Sequence, residues 1–245
     1  MRPSAIAGFR AGTLAIAAGL ALLPCSTRGE GSFGGMVAGT TDYVFRGISQ
    51  TRGGPAAQGG LHFQSDRGWF LGAWASSVNP EYGSGSTVEI NLFGGHGWQL
   101  GSDWNARLTY VHYMYTDDTP YLDYDYDELI GSISYRDQLA ASVSWSPNTS
   151  RYSSYGAAHD GTAYSVDLVA RRSLYGPLAA VGSIGYYDLH DLFGTGYTYG
   201  SLGLACSLKH LELEAAYYST SDPATELFGP EVAGSRWALT AAWRF

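Results

Sequence analysis

The sequence is poor in cysteine, in charged residues and in long apolar runs, and each shortage excludes a class of protein. Two cysteines in 245 residues exclude a disulfide-rich scaffold. Charged residues make up only 15%, against ~25% in typical soluble domains. After the amino-terminal region, no segment approaches the ~18 consecutive apolar residues of a membrane-spanning helix. The net charge of −8 offers no electrostatic basis for nucleic-acid binding, so no nucleic-acid partner is expected.

The amino-terminal end has the pattern of a secretory signal peptide. Arg2 and Arg10 precede Ala11–Leu23, a run of thirteen residues without a charge. A positive start followed by ~7–15 apolar residues is typical of such signals, and the run is shorter than the ~20 residues of a spanning helix. We predict a signal peptide over residues 1–29, with cleavage within Ser26–Gly31, and one domain over residues 30–245. Cleavage there leaves Cys206 as the single cysteine.

The carboxyl-terminal residues alternate between two kinds of side chain. Trp237, Leu239, Trp243 and Phe245 share one parity, and two arginines occupy the other. Successive side chains of a strand point to opposite faces, so this segment is a strand with one apolar, aromatic face. A last strand with Trp243 and a terminal Phe245 resembles the closing strand and assembly signal of bacterial outer-membrane barrels. The barrel-assembly machinery is therefore an expected partner.

Segments of alternating polarity recur twelve times in the mature region. Aromatic residues reach 14% and there are 33 glycines, a composition suited to a sheet that meets lipid on one face. The segments are Phe33–Ile48, Ala57–Ser65, Trp69–Val78, Thr87–Trp98, Trp104–Tyr115, Tyr126–Tyr135, Leu139–Ser146, Thr162–Arg172, Leu178–Tyr187, Thr198–Leu208, Leu211–Tyr218 and Arg236–Phe245.

The connections between these segments sort by length. Those after even-numbered segments are tight, and those after odd-numbered segments are mostly longer and polar. Outer-membrane barrels have an even number of strands, short turns on the periplasmic side and longer loops outside. The sequence therefore predicts an all-β fold: a transmembrane antiparallel up-and-down β-barrel of about twelve strands, which follows the amino-terminal signal peptide.

Four segments in the first half of the chain carry a family resemblance. They are Thr41–Thr51 (TDYVFRGISQT), Pro55–Leu61 (PAAQGGL), Trp69–Val78 (WFLGAWASSV) and Val88–Gly95 (VEINLFGG). The chain resembles the proteobacterial TorF family of porins over about Gly39–Gly97. The resemblance implies an outer-membrane barrel of porin type and brings no established substrate or catalytic set.

Most charged residues of the strands fall on the parity that is predicted to face the barrel interior. Arginine on the lipid face would cost ~2–4 kcal/mol at the bilayer midplane, so this confinement is physically required. The charges line a pore and select the permeant, or they form salt bridges that plug a narrow barrel. The predicted residues are Asp42, Arg46, Glu89, Arg107, Glu128, Asp167, Arg171, Glu212, Glu214, Arg236 and Arg244.

The rim with the long loops is predicted to be acidic. Its sharpest cluster contains Asp117, Asp118, Asp123 and Asp125. One sign of charge around an opening concentrates counter-ions, which favours cations over anions. The run lacks the glycine turn and terminal glutamate spacing of a calcium loop, so we predict a solvated face with no dedicated metal site and no cofactor. Binding of divalent cations by this run is the alternative.

These patterns predict a porin that passes small hydrophilic solutes or ions, with cation preference. One alternative is a closed barrel that serves as an anchor or adhesion module through its acidic external loops. Another is an outer-membrane hydrolase, but no nucleophile motif accompanies any of the six histidines, so we expect no enzyme and assign no catalytic residue. Outer-membrane lipid and lipopolysaccharide are the expected surroundings, and the oligomeric state stays open.

Overall fold

The computed structural model describes residues 31–79, 87–116, 125–151 and 159–245. The predicted signal peptide lies outside this part of the chain. Among the described residues, no helix combines the length and the apolar character needed to cross a membrane. Twelve long strands build the wall: β1 (Ser32–Thr40), β4 (Ala56–Gln64), β5 (Trp69–Ser77), β6 (Val88–Leu100), β7 (Trp104–Tyr115), β8 (Tyr126–Tyr135), β9 (Leu139–Arg151), β10 (His159–Tyr175), β11 (Leu178–Leu189), β12 (Thr195–Leu208), β13 (Leu211–Thr220) and β14 (Arg236–Arg244).

These twelve strands form a closed antiparallel barrel in which neighbours along the chain pair with each other. The first and last strands close the ring, with Met36–Thr40 of β1 opposite Thr240–Arg244 of β14. Phe245 extends this seam, because its backbone exchanges hydrogen bonds of 2.9 and 3.0 Å with Gly35. Among the described residues the wall has no open strand edge, as a hydrocarbon environment requires. The predicted fold is confirmed.

The polarity of the barrel is the reverse of that of a soluble protein. Leu202 is 68% exposed on the outer surface, whereas Glu89 is 2% exposed in the interior. The same alternation runs along β10, where Val166 and Leu168 face outward and Ser165 is buried inside. An apolar exterior around a polar interior is the arrangement expected of a transmembrane barrel.

The connections separate the barrel into two rims. At one rim the strands are joined by tight turns, and each of these five turns contains a residue in the left-handed region. These residues are Gly68, Gly101, Arg136, Gly176 and Lys209. Both ends of the described barrel, Ser32 and Phe245, lie at this short-turn rim. The strand ends that flank the longer connections lie at the opposite rim, as the sequence predicts.

The prediction of a single strand over Phe33–Ile48 is wrong. The wall strand β1 ends at Thr40, and the chain then forms a small hairpin from β2 (Val44–Phe45) and β3 (Ile48–Ser49). Its two turn residues, Arg46 and Gly47, have φ values of +48° and +80°. Positive φ at both central residues defines a type I′ turn, which reverses the chain where a continuous strand was expected. We call Thr41–Pro55 the lumen hairpin.

Three short helices lie at the rim with the longer connections. They are α1 (His190–Phe193), α2 (Asp222–Phe228) and α3 (Pro230–Ala233). Their apolar residues pack on β10, β11 and β12, and Ile48 of the lumen hairpin joins this cluster. Side chains of the helices therefore cover part of the barrel mouth. The buried members are Ala163, Leu189, Leu192, Tyr197, Tyr199, Ala224 and Ala233.

An arginine on the outer surface should destabilise the barrel in a depth-dependent way. We expect Leu168→Arg, midway along β10, to lower the free energy of unfolding by ~2–4 kcal/mol. The matched control Tyr175→Arg lies on the same strand at the short-turn rim, where the cost is ~0–1 kcal/mol. Urea unfolding in phospholipid vesicles, followed by tryptophan fluorescence, measures both. An equal loss in the two variants would show that the outer surface does not meet hydrocarbon.

Candidate functional site

The barrel interior holds the predicted charged residues in two different settings. Nine of them project inward from wall strands: Glu89, Arg107, Glu128, Asp167, Arg171, Glu212, Glu214, Arg236 and Arg244. Asp42 and Arg46 do not belong to the wall, contrary to the prediction, because they lie on the lumen hairpin. Among the eleven, all but Asp167, Arg236 and Arg244 are buried.

The tip of the lumen hairpin reaches the far wall of the barrel. The guanidinium of Arg46 donates hydrogen bonds to Glu128 Oε1 at 2.6 Å and to Ser144 Oγ at 2.9 Å. It also lies 4.5 Å from the ring centroid of Tyr187. Glu128 and Ser144 belong to β8 and β9, which lie across the ring from β1. The hairpin therefore spans the lumen and narrows it.

The base of the hairpin is held by one carboxylate. Asp42 Oδ1 accepts hydrogen bonds from Ser49 Oγ at 2.5 Å and Thr51 Oγ1 at 3.0 Å. Its second oxygen accepts one from Arg236 of β14 at 3.2 Å. Close by, Tyr43 Oη donates to Glu89 at 3.4 Å. Burial, and then the charge of Glu89, raises the pKa of Tyr43 well above its ordinary value, so this phenol keeps its proton.

Gly47 lets the hairpin tip approach the barrel wall. A Cβ atom at this position would overlap Thr220 Cγ2 and lie 2.8 Å from Tyr199 Cβ. Its φ of +80° is a second reason for glycine. Because both its tip and its base contact the wall, the hairpin is a fixed part of the interior.

A second network of charges lies toward the short-turn rim. Glu212 lies between Arg171, at 3.5 Å, and Arg244, at 3.4 Å. Arg171 also donates to Ser207 Oγ at 2.9 Å. Arg107 lies over the ring of Phe70, 4.6 Å from its centroid. Most interior arginines are thus engaged by protein groups.

Asp167 differs from the other interior carboxylates because it is partly exposed. It accepts hydrogen bonds from Tyr199 Oη and, at 3.1 Å, from Ser165 Oγ. No ion pair joins it to an arginine or lysine in the described part of the chain. The carboxylate is therefore accessible from the lumen.

The sequence analysis missed the serines beside Asp167. Four inward serines on neighbouring strands are partly exposed, in contrast to the buried charges. Their signal was present in the sequence, as small hydroxyl residues on the inward parity of β8, β9, β11 and β12. We call them, together with Asp167, the hydroxyl wall: Ser132, Ser142, Asp167, Ser183 and Ser201.

The predicted acidic cluster at the outer rim is only partly described. Asp117, Asp118 and Asp123 lie outside the described residues, and Asp125 accepts a hydrogen bond from the backbone N–H of Tyr115 at 2.8 Å. Other exposed acids at this rim are Asp160, Asp191, Asp222, Glu226 and Glu231. Within the described ranges, no three His, Cys, Asp or Glu side chains are grouped closely enough to hold a metal ion.

The chain matches one family model and is similar in fold to several solved structures. A family model described as "bacterial protein of unknown function (Gcw_chp)" matches residues 26–244. No curated protein matches the chain. The structure of the NanC porin superposes with a TM-score of 0.57 at 10% identity, covering 85% of this chain and 97% of that one. The KdgM porin gives a TM-score of 0.54 at 8% identity, covering 86% and 99%.

A further structure holds the KdgM porin in complex with disordered oligogalacturonate. It gives a TM-score of 0.53 at 7% identity, covering 87% of this chain and 99% of that one. Identities this low show a shared fold, which is that of bacterial outer-membrane porins, and the apolar exterior fits that membrane. These findings show a porin-like fold, and the family name TorF stays an expectation from the sequence.

Breaking the link at the hairpin tip should destabilise the protein strongly. Arg46→Ala leaves Glu128 buried without its cation, so we expect the free energy of unfolding to fall by ~3–5 kcal/mol. Glu128→Gln in the same chain should recover part of this loss, because the stranded charge is removed. Urea unfolding of both variants in detergent micelles measures the difference.

The control for this prediction is an exposed ion pair at the short-turn rim. Arg136 Nε lies 3.1 Å from Asp103 Oδ1, and the hydrogen bond from Arg136 lowers the pKa of Asp103. Water screens this pair, so Asp103→Asn should leave stability almost unchanged. A similarly small effect of Arg46→Ala would contradict an anchored hairpin.

Proposed function

From the premise that this chain belongs to the Gcw_chp family of bacterial proteins of unknown function, we propose that it is an outer-membrane channel for small hydrophilic solutes. The observation that carries the proposal is a partly exposed polar wall inside a closed barrel whose exterior is apolar. A barrel that served only as a membrane anchor would need no such accessible polar surface. The porin fold supports the proposal, since solute passage is what that architecture accommodates.

The lumen hairpin controls where solutes pass. Toward β5 and β7, Tyr43 packs against Trp74 and Phe45 against Tyr113. On the opposite side, near the mouth, Gly47 approaches Tyr199 and Ile48 joins the cluster of the short helices. The tip of the hairpin then closes the gap to Glu128. The accessible polar surface lies along β8 to β12, so the proposed route follows the hydroxyl wall.

The channel prefers cations in this proposal. Arg46 pairs with Glu128 and Arg236 with Asp42, while Arg171 and Arg244 share Glu212, so most of this positive charge is compensated locally. Asp167 faces the lumen without such compensation, and further carboxylates surround the outer rim. The field along the route is therefore negative, and this concentrates cations.

The proposal includes the lipids of the outer membrane and the barrel-assembly machinery as partners. Phospholipid and lipopolysaccharide surround the apolar exterior, which carries large exposed side chains such as Leu202 and Leu239. The barrel-assembly machinery recognises the last strand through Trp243, which is 49% exposed on the outer surface, and the terminal Phe245.

A closed barrel that anchors external loops is the second candidate. The observation that favours it is the combined covering of the mouth by the lumen hairpin and by the cluster around α1, α2 and α3. The hydrolase alternative has no such support. In the described part of the chain, the hydrogen bonds of the histidine rings lead to carboxylates or backbone carbonyls rather than to serine hydroxyls.

Ion conductance separates the two candidates. Purified, folded protein should give stepwise current increments in a planar phospholipid bilayer, because water and ions follow the polar wall. Heat-denatured protein at the same concentration is the control for detergent leaks. Folded protein that inserts without carrying current would establish the closed barrel.

Neutralising Asp167 should reduce the cation preference. A carboxylate ~4 Å from a passing monovalent ion contributes about 1 kcal/mol in water, which corresponds to about fivefold in partition. We expect Asp167→Asn to lower the K⁺/Cl⁻ permeability ratio by up to this factor. Reversal potentials in a KCl gradient measure the ratio, and Asp66→Asn in an exposed short turn is the matched control. Unchanged reversal potentials would remove Asp167 from the ion route.

A further inference from the structure

We propose that the hydroxyl wall is a binding surface for uncharged polyhydroxylated solutes, such as short neutral oligosaccharides. This inference rests on the proposed channel and names the class of solute that it conducts. The surface combines serine hydroxyls, which donate and accept hydrogen bonds, with one carboxylate, which accepts them. A solute that presents many hydroxyl groups complements both kinds of partner.

The polar groups form two short rows along the barrel wall. Ser132 lies opposite Ser142, and Ser142 lies opposite Asp167. In the neighbouring row, Ser183 lies opposite Ser201, and their hydroxyl oxygens are 2.7 Å apart. Adjacent strands are separated by ~4.8 Å, which is close to the length of one hexose unit. A linear oligosaccharide can therefore meet one polar group for each sugar along the row.

Asp167 is held in position and retains free acceptor capacity. Tyr199 Oη donates to one carboxylate oxygen and Ser165 Oγ to the other. A carboxylate offers about four lone-pair sites, so sites remain for hydroxyl groups of a solute. Gly185 permits this arrangement, because a Cβ there would lie 2.5 Å from Tyr199 Cζ and 2.7 Å from Asp167 Oδ1.

The charges around the wall disfavour acidic solutes. A carboxylate-bearing sugar would meet Asp167, and Arg46 and Arg171 are already bound to Glu128 and Glu212. Arg107 is buried over an aromatic ring. The hydroxyl wall thus presents hydroxyl groups and hydrogen-bond acceptors to the lumen. The arginines near it are buried or engaged with other protein groups.

Interruption of single-channel current tests this inference on the full-length protein. A linear glucose trisaccharide should interrupt the current of the wild type reversibly. Asp167→Asn should weaken this block about tenfold and Ser142→Ala about fivefold, as expected for loss of a charge-assisted and of a neutral hydrogen bond. Ser142→Ala keeps the test valid if Asp167→Asn does not fold. The matched control Asp137→Asn, in an exposed turn, should block like the wild type.

The outcomes separate this inference from the channel itself. A wild type without current defeats the proposed function and, with it, the oligosaccharide surface. If the wild type conducts and the trisaccharide does not interrupt its current, the binding role of the hydroxyl wall is overturned and the channel proposal stands. Stronger interruption by a galacturonic acid trisaccharide also overturns this binding role, because that result would show recognition of negative charge.

Discussion

The backbone hydrogen bonds that join β1 to β14 are the interaction on which the rest of the structure depends. In hydrocarbon, an unpaired N–H or C=O group costs several kcal/mol, so a spanning sheet must close. The sheet closes through Met36–Thr40 and Thr240–Arg244, and Phe245 extends this seam. The side chain of each wall residue can then point only toward the lipid or toward the lumen. Apolar side chains take the outward direction and polar side chains the inward one. The charged and hydrogen-bonding side chains of the wall strands consequently lie mostly in the interior.

An interior with this much charge requires compensation, and the lumen hairpin supplies much of it. Arg46 neutralises Glu128 at one wall, while Asp42 receives Arg236 from another. Removing charges from the lumen in this way leaves Asp167 and the serines as its accessible chemistry. The same hairpin thus narrows the route and, through the pairs Arg46–Glu128 and Asp42–Arg236, helps to determine what a solute encounters there.

The strand pattern of this chain could be predicted from local alternation, since each wall strand contacts lipid on one side. The hairpin could not, because Asp42, Val44 and Arg46 continue the alternation of β1 into a turn. The partner of Arg46 is 82 residues away in the sequence, so no local pattern reveals it. For the same reason, parity placed Asp167 among eleven interior charges without showing that it is the exposed carboxylate.

The central claim is the reversed polarity of the wall, and accessibility along β10 measures it most directly. Spin labels placed singly at positions 164–169 of a Cys206→Ala protein in lipid vesicles would report contact with dissolved oxygen and with a water-soluble nickel chelate. We expect oxygen contact to peak at positions 164, 166 and 168, which face outward, and chelate contact to peak at 167. Oxygen contact that peaks at the inward positions, or contact that does not alternate from one position to the next, would contradict the account.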